Sequence, residues 1–195
     1  MTELIARNNA IYFESAKAYP FDHRGVKWAS AESQRIRFEV LCEIAENFFK
    51  SSILDVGCGL GHLIDYLQSN QFSGVYKGID TVDQMVLQAK KRYPLFNFET
   101  NDLDAMKDVA YDYVIASGIF TFVNWSSMQN TIEKLFLCSK KGVAFNSLSA
   151  LSIEKESEIF YPDPIKVFEF CKKITSNVVL RQDYMPHDFT IYLYH

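Results

Sequence analysis

Residues 53–61 run Ile-Leu-Asp-Val-Gly-Cys-Gly-Leu-Gly, and His62 to Leu67 continue in an apolar helical pattern. An apolar run closing on an acid, a glycine-rich turn and a helix start make a strand–turn–helix unit, the opening unit of an α/β sheet. Glycines at 57, 59 and 61 let the backbone bend sharply and approach a ligand that a Cβ would meet. The helix that follows presents unpaired N–H groups at its first turn, a site for a polar or anionic group. Such a unit suits a nucleoside-containing ligand.

Strand-like and helix-like segments alternate from residue 52 onward, which predicts a parallel sheet with helices on both faces. The strand candidates are Ile53–Val56, Val75–Ile79, Asn97–Thr100, Tyr111–Ala116 and Val143–Ser147. Between them lie helix candidates Gly61–Ser69, Val82–Tyr93 and Ser126–Ser139, and a short turn near Leu103–Asp108. Thr81 is the expected N-cap of the second helix, which stops at Tyr93-Pro94 because proline disfavours helix in the residue before it. Lys141-Gly142 is expected to end the Ser126–Ser139 helix as a glycine C-cap.

The pattern then changes. After Pro162 and Pro164, Ile165–Ile174 reads as a helix, followed by β-rich runs Asn177–Asp183 and Asp188–Tyr194. Their connection, Tyr184-Met185-Pro186-His187, is too short for a parallel crossover, so the last strand is expected to be antiparallel. Residues 1–50 read as two helices. Leu4–Ala18 has Tyr12 and Tyr19 expected to face one way. Ala31 to about Phe49, capped by Ser30, carries Ile36, Val40, Leu41, Ile44 and Phe48 on one apolar face. These residues form a helical cap, part of the same domain as the 51–195 core.

The bulk numbers restrict the function classes. At 195 residues, 48% hydrophobic and 23% charged, the chain fits one globular domain with a sizeable core. No apolar run approaches membrane-spanning length, and Glu3 and Arg7 interrupt the start where a signal peptide would be apolar. Cys42, Cys58, Cys138 and Cys171 are scattered without a Cys-x-x-Cys pair, which predicts free thiols in the cytoplasm and no metal site. The net charge is −4, and the basic clusters Lys90-Lys91-Arg92, Lys140-Lys141 and Lys172-Lys173 each fall at an expected helix C-terminus. They read as helix-end charges rather than as a nucleic-acid footprint.

The glycine spacing is Gly-x-Gly-x-Gly, with Asp55 two residues ahead. A dinucleotide fingerprint needs glycine at 62, where this chain has His62. An acid at the strand end repels a pyrophosphate but can bind the ammonium of an amino-acid moiety. Asp80 ends the next strand, 19 residues after Gly61, where a carboxylate can accept both hydroxyls of a ribose; a helix-capping role is the alternative. Asn101-Asp102-Leu103 follows the third strand, where an acid can accept from an exocyclic adenine amino group.

With these residues in place the chain resembles the class I S-adenosylmethionine-dependent methyltransferases over residues 52–195, most closely in Leu54-Asp55-Val56-Gly57-Cys58-Gly59-Leu60-Gly61. The resemblance implies an α/β, Rossmann-like fold with a seven-stranded, mostly parallel sheet and an antiparallel last strand. It implies that Asp55, Gly57, Cys58, Gly59 and Gly61 hold the methionine part of S-adenosylmethionine. By the same token Asp80, with Thr81 beside it, binds the ribose, Val82 or Met85 packs on the adenine, and Asp102 and the Leu103 backbone read the adenine edge. Ser117 and Gly118 would line the methyl-donor end.

Where methyltransferases of planar amino groups resemble one another in an Asn/Asp-Pro-Pro-Tyr segment, this chain has Ser117-Gly118-Ile119-Phe120, which disfavours that chemistry. No carboxylate string suited to Mg²⁺ follows the fourth strand. On the acceptor side, Gln34 or Arg35 is a candidate for the cofactor carboxylate or the substrate, with a solvated helix face and Trp28 as packing anchor the alternative. Phe120, Phe122 and Trp125 could wall an acceptor pocket or belong to the core. Histidine is the usual base for O-methylation; His23 and His187 are the candidates, while His62 and His195 read as structural or solvated. The expectation is methyl transfer to a small-molecule acceptor, mainly at oxygen. The rival readings are a non-catalytic methyltransferase-like binding module and an NAD-linked oxidoreductase.

Overall fold

The computed structural model describes residues 2–19, 23–26, 30–106 and 110–195. Its strands are β1 (Ser52–Val56), β2 (Val75–Asp80), β3 (Asn97–Thr100), β4 (Tyr111–Ala116), β5 (Ser139–Leu148), β6 (Asn177–Arg181) and β7 (Asp188–Tyr194). They form one sheet in the order β3-β2-β1-β4-β5-β7-β6. β7 pairs antiparallel with both β5 and β6 while every other pairing is parallel, so β7 alone runs against the sheet. The short β6–β7 connection forces that reversal.

The helices are α1 (Thr2–Ala18), α2 (Ala31–Cys42), α3 (Leu63–Ser69), α4 (Asp83–Arg92), α5 (Trp125–Leu137) and α6 (Pro164–Ile174). One core joins α2, α3 and α4 to the sheet through Leu41, Ile64, Ala89, Ile53 and Ala144; the other joins α5 and α6 through Ile132, Val167, Leu54 and Val143. Helices therefore cover both faces, and strand order reverses between β1 and β4, where open α/β sheets bind ligands. No helix among the described residues is long and apolar enough to cross a membrane. All four cysteines are free and buried.

Three local expectations fail for identifiable reasons. Lys141-Gly142 does not end a helix: α5 stops with Cys138 as C-cap, and Gly142 lies within β5, paired to Tyr113 and Tyr194. A Cβ there would stand 2.7 Å from the Leu193 carbonyl oxygen, so this glycine serves close strand approach. Lys140 and Lys141 consequently project from a strand, and Lys141 pairs with Asp112 at 3.1 Å. The second expected helix ends at Cys42 rather than near Phe49, because Tyr192 and Tyr194 of β7 donate their hydroxyls to the Val40 and Ile44 carbonyls. Tyr12 and Tyr19 do not face together. Tyr19 lies past the end of α1, 42% exposed, with Arg24 over its ring, while Tyr12 is half-buried against Phe122. Trp28 and Asp108 fall outside the described residues.

Candidate active site

The β1–α3 turn is built on three left-handed glycines, with φ of 74° at Gly57, 53° at Gly59 and 77° at Gly61. A side chain at Gly57 would be strained by that φ, and its Cβ would lie 2.3 Å from Ile119 Cγ2. The turn is tied to β2 by the Gly57 and Cys58 N–H groups, which donate to the Ile79 carbonyl at 2.8 and 3.0 Å.

Asp80 fastens the same turn from the neighbouring strand. Its Oδ2 accepts the Gly59 N–H and its Oδ1 the Val82 N–H, each at 2.9 Å. The expected N-cap, Thr81, is therefore displaced. Val82 is the N-cap residue of α4 and carries no side-chain cap bond, while Thr81 Oγ1 donates to Asn9 Oδ1 of α1 at 2.9 Å. The carboxylate one residue earlier outcompetes the hydroxyl because charged acceptors bind N–H groups more strongly. The helix-capping reading of Asp80 holds, since its carboxylate accepts backbone N–H groups of the turn and of α4.

Asp55 ends β1 fully within the fold and accepts a hydrogen bond from the Tyr76 hydroxyl at 2.7 Å. Burial pushes its carboxyl up to about 7, the Asp80 charge adds to that, and the Tyr76 bond opposes it. Burial also raises Asp80, with the Val82 and Gly59 N–H groups opposing. Two buried carboxyls with no buried cation between them among the described residues form a site that favours a positively charged ligand group.

These groups surround a cavity of about 480 Å³, within the range of small-molecule sites. Asp55, the Gly57–Gly59 turn, Asp80, Thr81, Val82 and Met85 line one wall, and Asn101, Asp102, Leu103, Ser117 and Gly118 the other. Of the residues between 55 and 118 expected to hold the cofactor, only Gly61 is off the lining; it packs beneath the turn against Tyr93 and Phe98. Asp102 Oδ1 caps the Leu103–Met106 turn by accepting from the Asp104 and Ala105 N–H groups. Gln34 of α2 lines the cavity with its Nε2 3.3 Å from His62 Nδ1, whereas Arg35 points outward to Glu39.

A second cavity of about 850 Å³ shares Tyr12, Val26 and Gly118 with the first. Burial pushes the Tyr12 hydroxyl up to about 12, so at neutral pH it stays protonated beside Thr121. Gly118, with φ of 72°, donates its N–H to Asn146 Oδ1 at 3.1 Å, and Ser117 Oγ donates to the same oxygen at 3.3 Å. Arg37 of α2 forms a buried ion pair with Asp188 of β7 on the wall of this cavity. His187 also lines it, while His23 lines neither cavity. Phe120 is buried against Phe145 and also lines the second cavity, whereas Trp125 packs on Phe170 and lines neither cavity. Among the described residues no three His, Cys, Asp or Glu side chains converge as a metal-ligand set.

Comparison with known proteins decides the family. A methyltransferase-domain model matches residues 53–142, from β1 into β5. The chain is 34% identical over 150 residues to "Putative methyltransferase Rv1506c" of Mycobacterium tuberculosis, covering 72% of this chain and 90% of that protein. The chain belongs to the class I S-adenosylmethionine-dependent methyltransferases. The fold of this methyltransferase is shared with a DhpI-SAM-HEP complex, at a TM-score of 0.74 and 15% identity over 97% of this chain and 96% of that one. It is shared equally with magnesium protoporphyrin IX methyltransferase of Synechocystis with bound SAH, at a TM-score of 0.71 and 13% identity over 99% of each chain. The plantazolicin methyltransferase BamL is similar at a TM-score of 0.67 and 14% identity, over 100% of this chain and 99% of its own. With family and antiparallel β7 established, the oxidoreductase reading is set aside.

Sequence reasoning missed Tyr76, Asn9, Arg37, Asn146 and Asp188. Asn146 and Asp188 had a readable signal, as polar residues in the apolar β5 and β7 runs. Tyr76 and Asn9 had none, because each matters only through a partner brought in by the fold.

Proposed function

We propose that this methyltransferase transfers the sulfonium methyl of S-adenosylmethionine to an oxygen of a small-molecule acceptor. The observation that carries the reading is the meeting of the two cavities at Tyr12, Val26 and Gly118. A donor in the first can face an acceptor in the second across that opening, and the second has the volume of a metabolite rather than of a polymer groove. The acidic net charge of −4 agrees with a small-molecule partner over a nucleic acid. Solved relatives of the same fold include enzymes named for magnesium protoporphyrin IX and plantazolicin, which are small molecules and natural products.

In this reading Asp55 takes the cofactor ammonium, which holds its carboxyl ionised. Asp80 takes the ribose hydroxyls on the lone pairs left by the Gly59 and Val82 N–H groups. Val82 and Met85 flank the adenine, and Asp102 and the Leu103 backbone receive its edge. Ser117 and Gly118, fixed through Asn146, wall the donor end. The bound cofactor supplies an electrophilic methyl on a sulfonium. The protein's part is to hold the acceptor oxygen in line with it and to keep water out, which is worth several orders of magnitude in rate. Residues 1–50 act as the cap: Asn9 of α1 latches to Thr81, and Tyr12 and Gln34 reach the cavity wall.

The test is calorimetric titration with S-adenosylhomocysteine, followed by an acceptor screen that reads methylated product by mass. Micromolar binding with O-methylated product supports the proposal. Absence of binding, or product methylated only at nitrogen or on a macromolecule, refutes it.

A further inference from the structure

Among the described residues, three buried side chains of the second cavity carry polar atoms that the protein leaves unsatisfied, Asn146, Ser147 and Asp188, and the first and last of them stand on one sheet face. Asn146 is 1% exposed, and its Oδ1 is committed to the Gly118 N–H and the Ser117 hydroxyl. That double acceptance fixes the amide's orientation, because turning it would set an NH₂ against two donors. Its Nδ2 is left with no hydrogen-bond partner. Asp188 is 2% exposed, and its Oδ2 meets Arg37 Nε while its Oδ1 takes no hydrogen bond. A buried donor or acceptor left this way is destabilising, so each calls for a partner supplied from outside the fold.

The two groups belong together. Asn146 pairs with Thr190 and Asp188 with Leu148 across β5 and β7, two positions apart, so both side chains stand on the same sheet face as diagonal neighbours. Both line the acceptor cavity, and Asn146 lies directly under Gly118, where that cavity opens to the donor side. One unsatisfied donor beside one unsatisfied carboxylate oxygen is the complement of a hydroxyl group. The amide N–H reaches its oxygen, and the carboxylate receives its proton. An ammonium has no lone pair to accept the amide N–H, and a carboxylate is repelled by Asp188.

We propose that Asp188 is the general base of this methyltransferase, that Asn146 orients the acceptor, and that the acceptor is a hydroxyl compound. This rests on the reading of the protein as an O-methyltransferase. As the acceptor oxygen forms its bond to the methyl carbon, the carbon–sulfur bond breaks, its electron pair stays on sulfur, and the hydroxyl proton passes to Asp188 Oδ1. Arg37 keeps the carboxylate aimed, as the orienting partner of a base commonly does. Burial raises the Asp188 carboxyl against the pull of Arg37 and His187, which makes it a stronger base than an exposed carboxylate. The groups facing Asp188 are Arg37 from α2, and Tyr184 and His187 from the β6–β7 turn; Lys155 and Glu154 stand farther out on the cavity wall. The histidines expected to serve as base are not needed.

The experiment uses the full chain with S-adenosylmethionine at pH 8 and three matched probes, 4-ethylphenol, 4-ethylbenzoate and 4-ethylaniline, with S-adenosylhomocysteine release as readout. The proposal expects the phenol to be methylated at least tenfold faster than either other probe. In Asp188→Asn, turnover of 4-ethylphenol should fall at least 100-fold, while 4-nitrophenol, already ionised at that pH, loses less than tenfold. Asn146→Asp keeps an acceptor for the Gly118 N–H but replaces the donor with a second carboxylate oxygen; it should raise KM for the phenol by a larger factor than it weakens cofactor binding. Preference for the benzoate would overturn the Asp188–Asn146 assignment yet leave O-methylation standing, whereas preference for the aniline would overturn both. No phenol turnover above the acceptor-free rate, or equal losses on both phenols in Asp188→Asn with cofactor affinity intact, would also overturn the assignment.

Discussion

Lowering the pH from 7.5 to 6 should weaken S-adenosylhomocysteine binding through one residue, Asp55. Its carboxyl is held at about 7 by burial and by the Asp80 charge. The ligand's ammonium needs the ionised form. The ionised fraction is about 0.76 at pH 7.5 and about 0.09 at pH 6, so affinity should drop roughly eightfold, or about 1.3 kcal/mol. The same linkage predicts proton release on binding, about 0.9 per ligand at pH 6 and about 0.25 at pH 7.5. Titration calorimetry in phosphate and in imidazole, whose ionisation enthalpies differ widely, gives both numbers. Asp55→Asn should flatten the profile, and adenosine, which lacks the ammonium, should show little of it. Tyr76→Phe removes the hydrogen bond that opposes the rise and should move the midpoint upward. A pH-independent affinity without proton release, or a profile that survives Asp55→Asn, would refute the reasoning.

The remaining expectations concern the turn and its carboxylates. Asp80→Ala leaves the Gly59 and Val82 N–H groups without acceptors; it should cost about 2–4 kcal/mol, seen as a Tm lower by roughly 5–10 °C and a loss of about 100-fold or more in S-adenosylhomocysteine affinity. Gly57→Ala meets both a φ of 74° and Ile119 at 2.3 Å, so it should destabilise by about 1–3 kcal/mol, and adding Ile119→Ala should recover only the part due to the contact. Without ligand, stability should fall as pH rises from about 5 to 7.5. Asp55 binds its proton more tightly folded, at about 7, than unfolded, at about 3.9, so the native state holds the extra proton across that window. Glu99, Asp112 and Asp183 are lowered and titrate below the window, so they do not offset the trend. Thermal melts across pH check it, and a Tm rising over the range would contradict it.

The sheet was legible because its signals are local: β3 and β4 fall on the residues that alternation marks, and the six-residue link before β7 leaves only an antiparallel return. The lining of the first cavity was legible for a related reason, since the turn fixes where Asp55 and Asp80 must stand relative to the glycines. What escaped depends on pairing across distance. Gly142 looks like a helix stop until Leu193 is placed against it. Thr81 looks like a cap until Asp80 takes the Val82 N–H and Asn9 claims the hydroxyl. The second cavity was hidden most completely, because Asn146 and Asp188 are separated by 42 positions and meet only through the β5–β7 register.

The most direct test of the account is a crystal structure of the full chain with S-adenosylhomocysteine. The ligand ammonium should stand at Asp55, the ribose at Asp80, and the sulfur at the opening between the two cavities formed by Tyr12, Val26 and Gly118. A ligand with its sulfur turned away from that opening, or with Asp80 contacting only its own backbone partners, would contradict it.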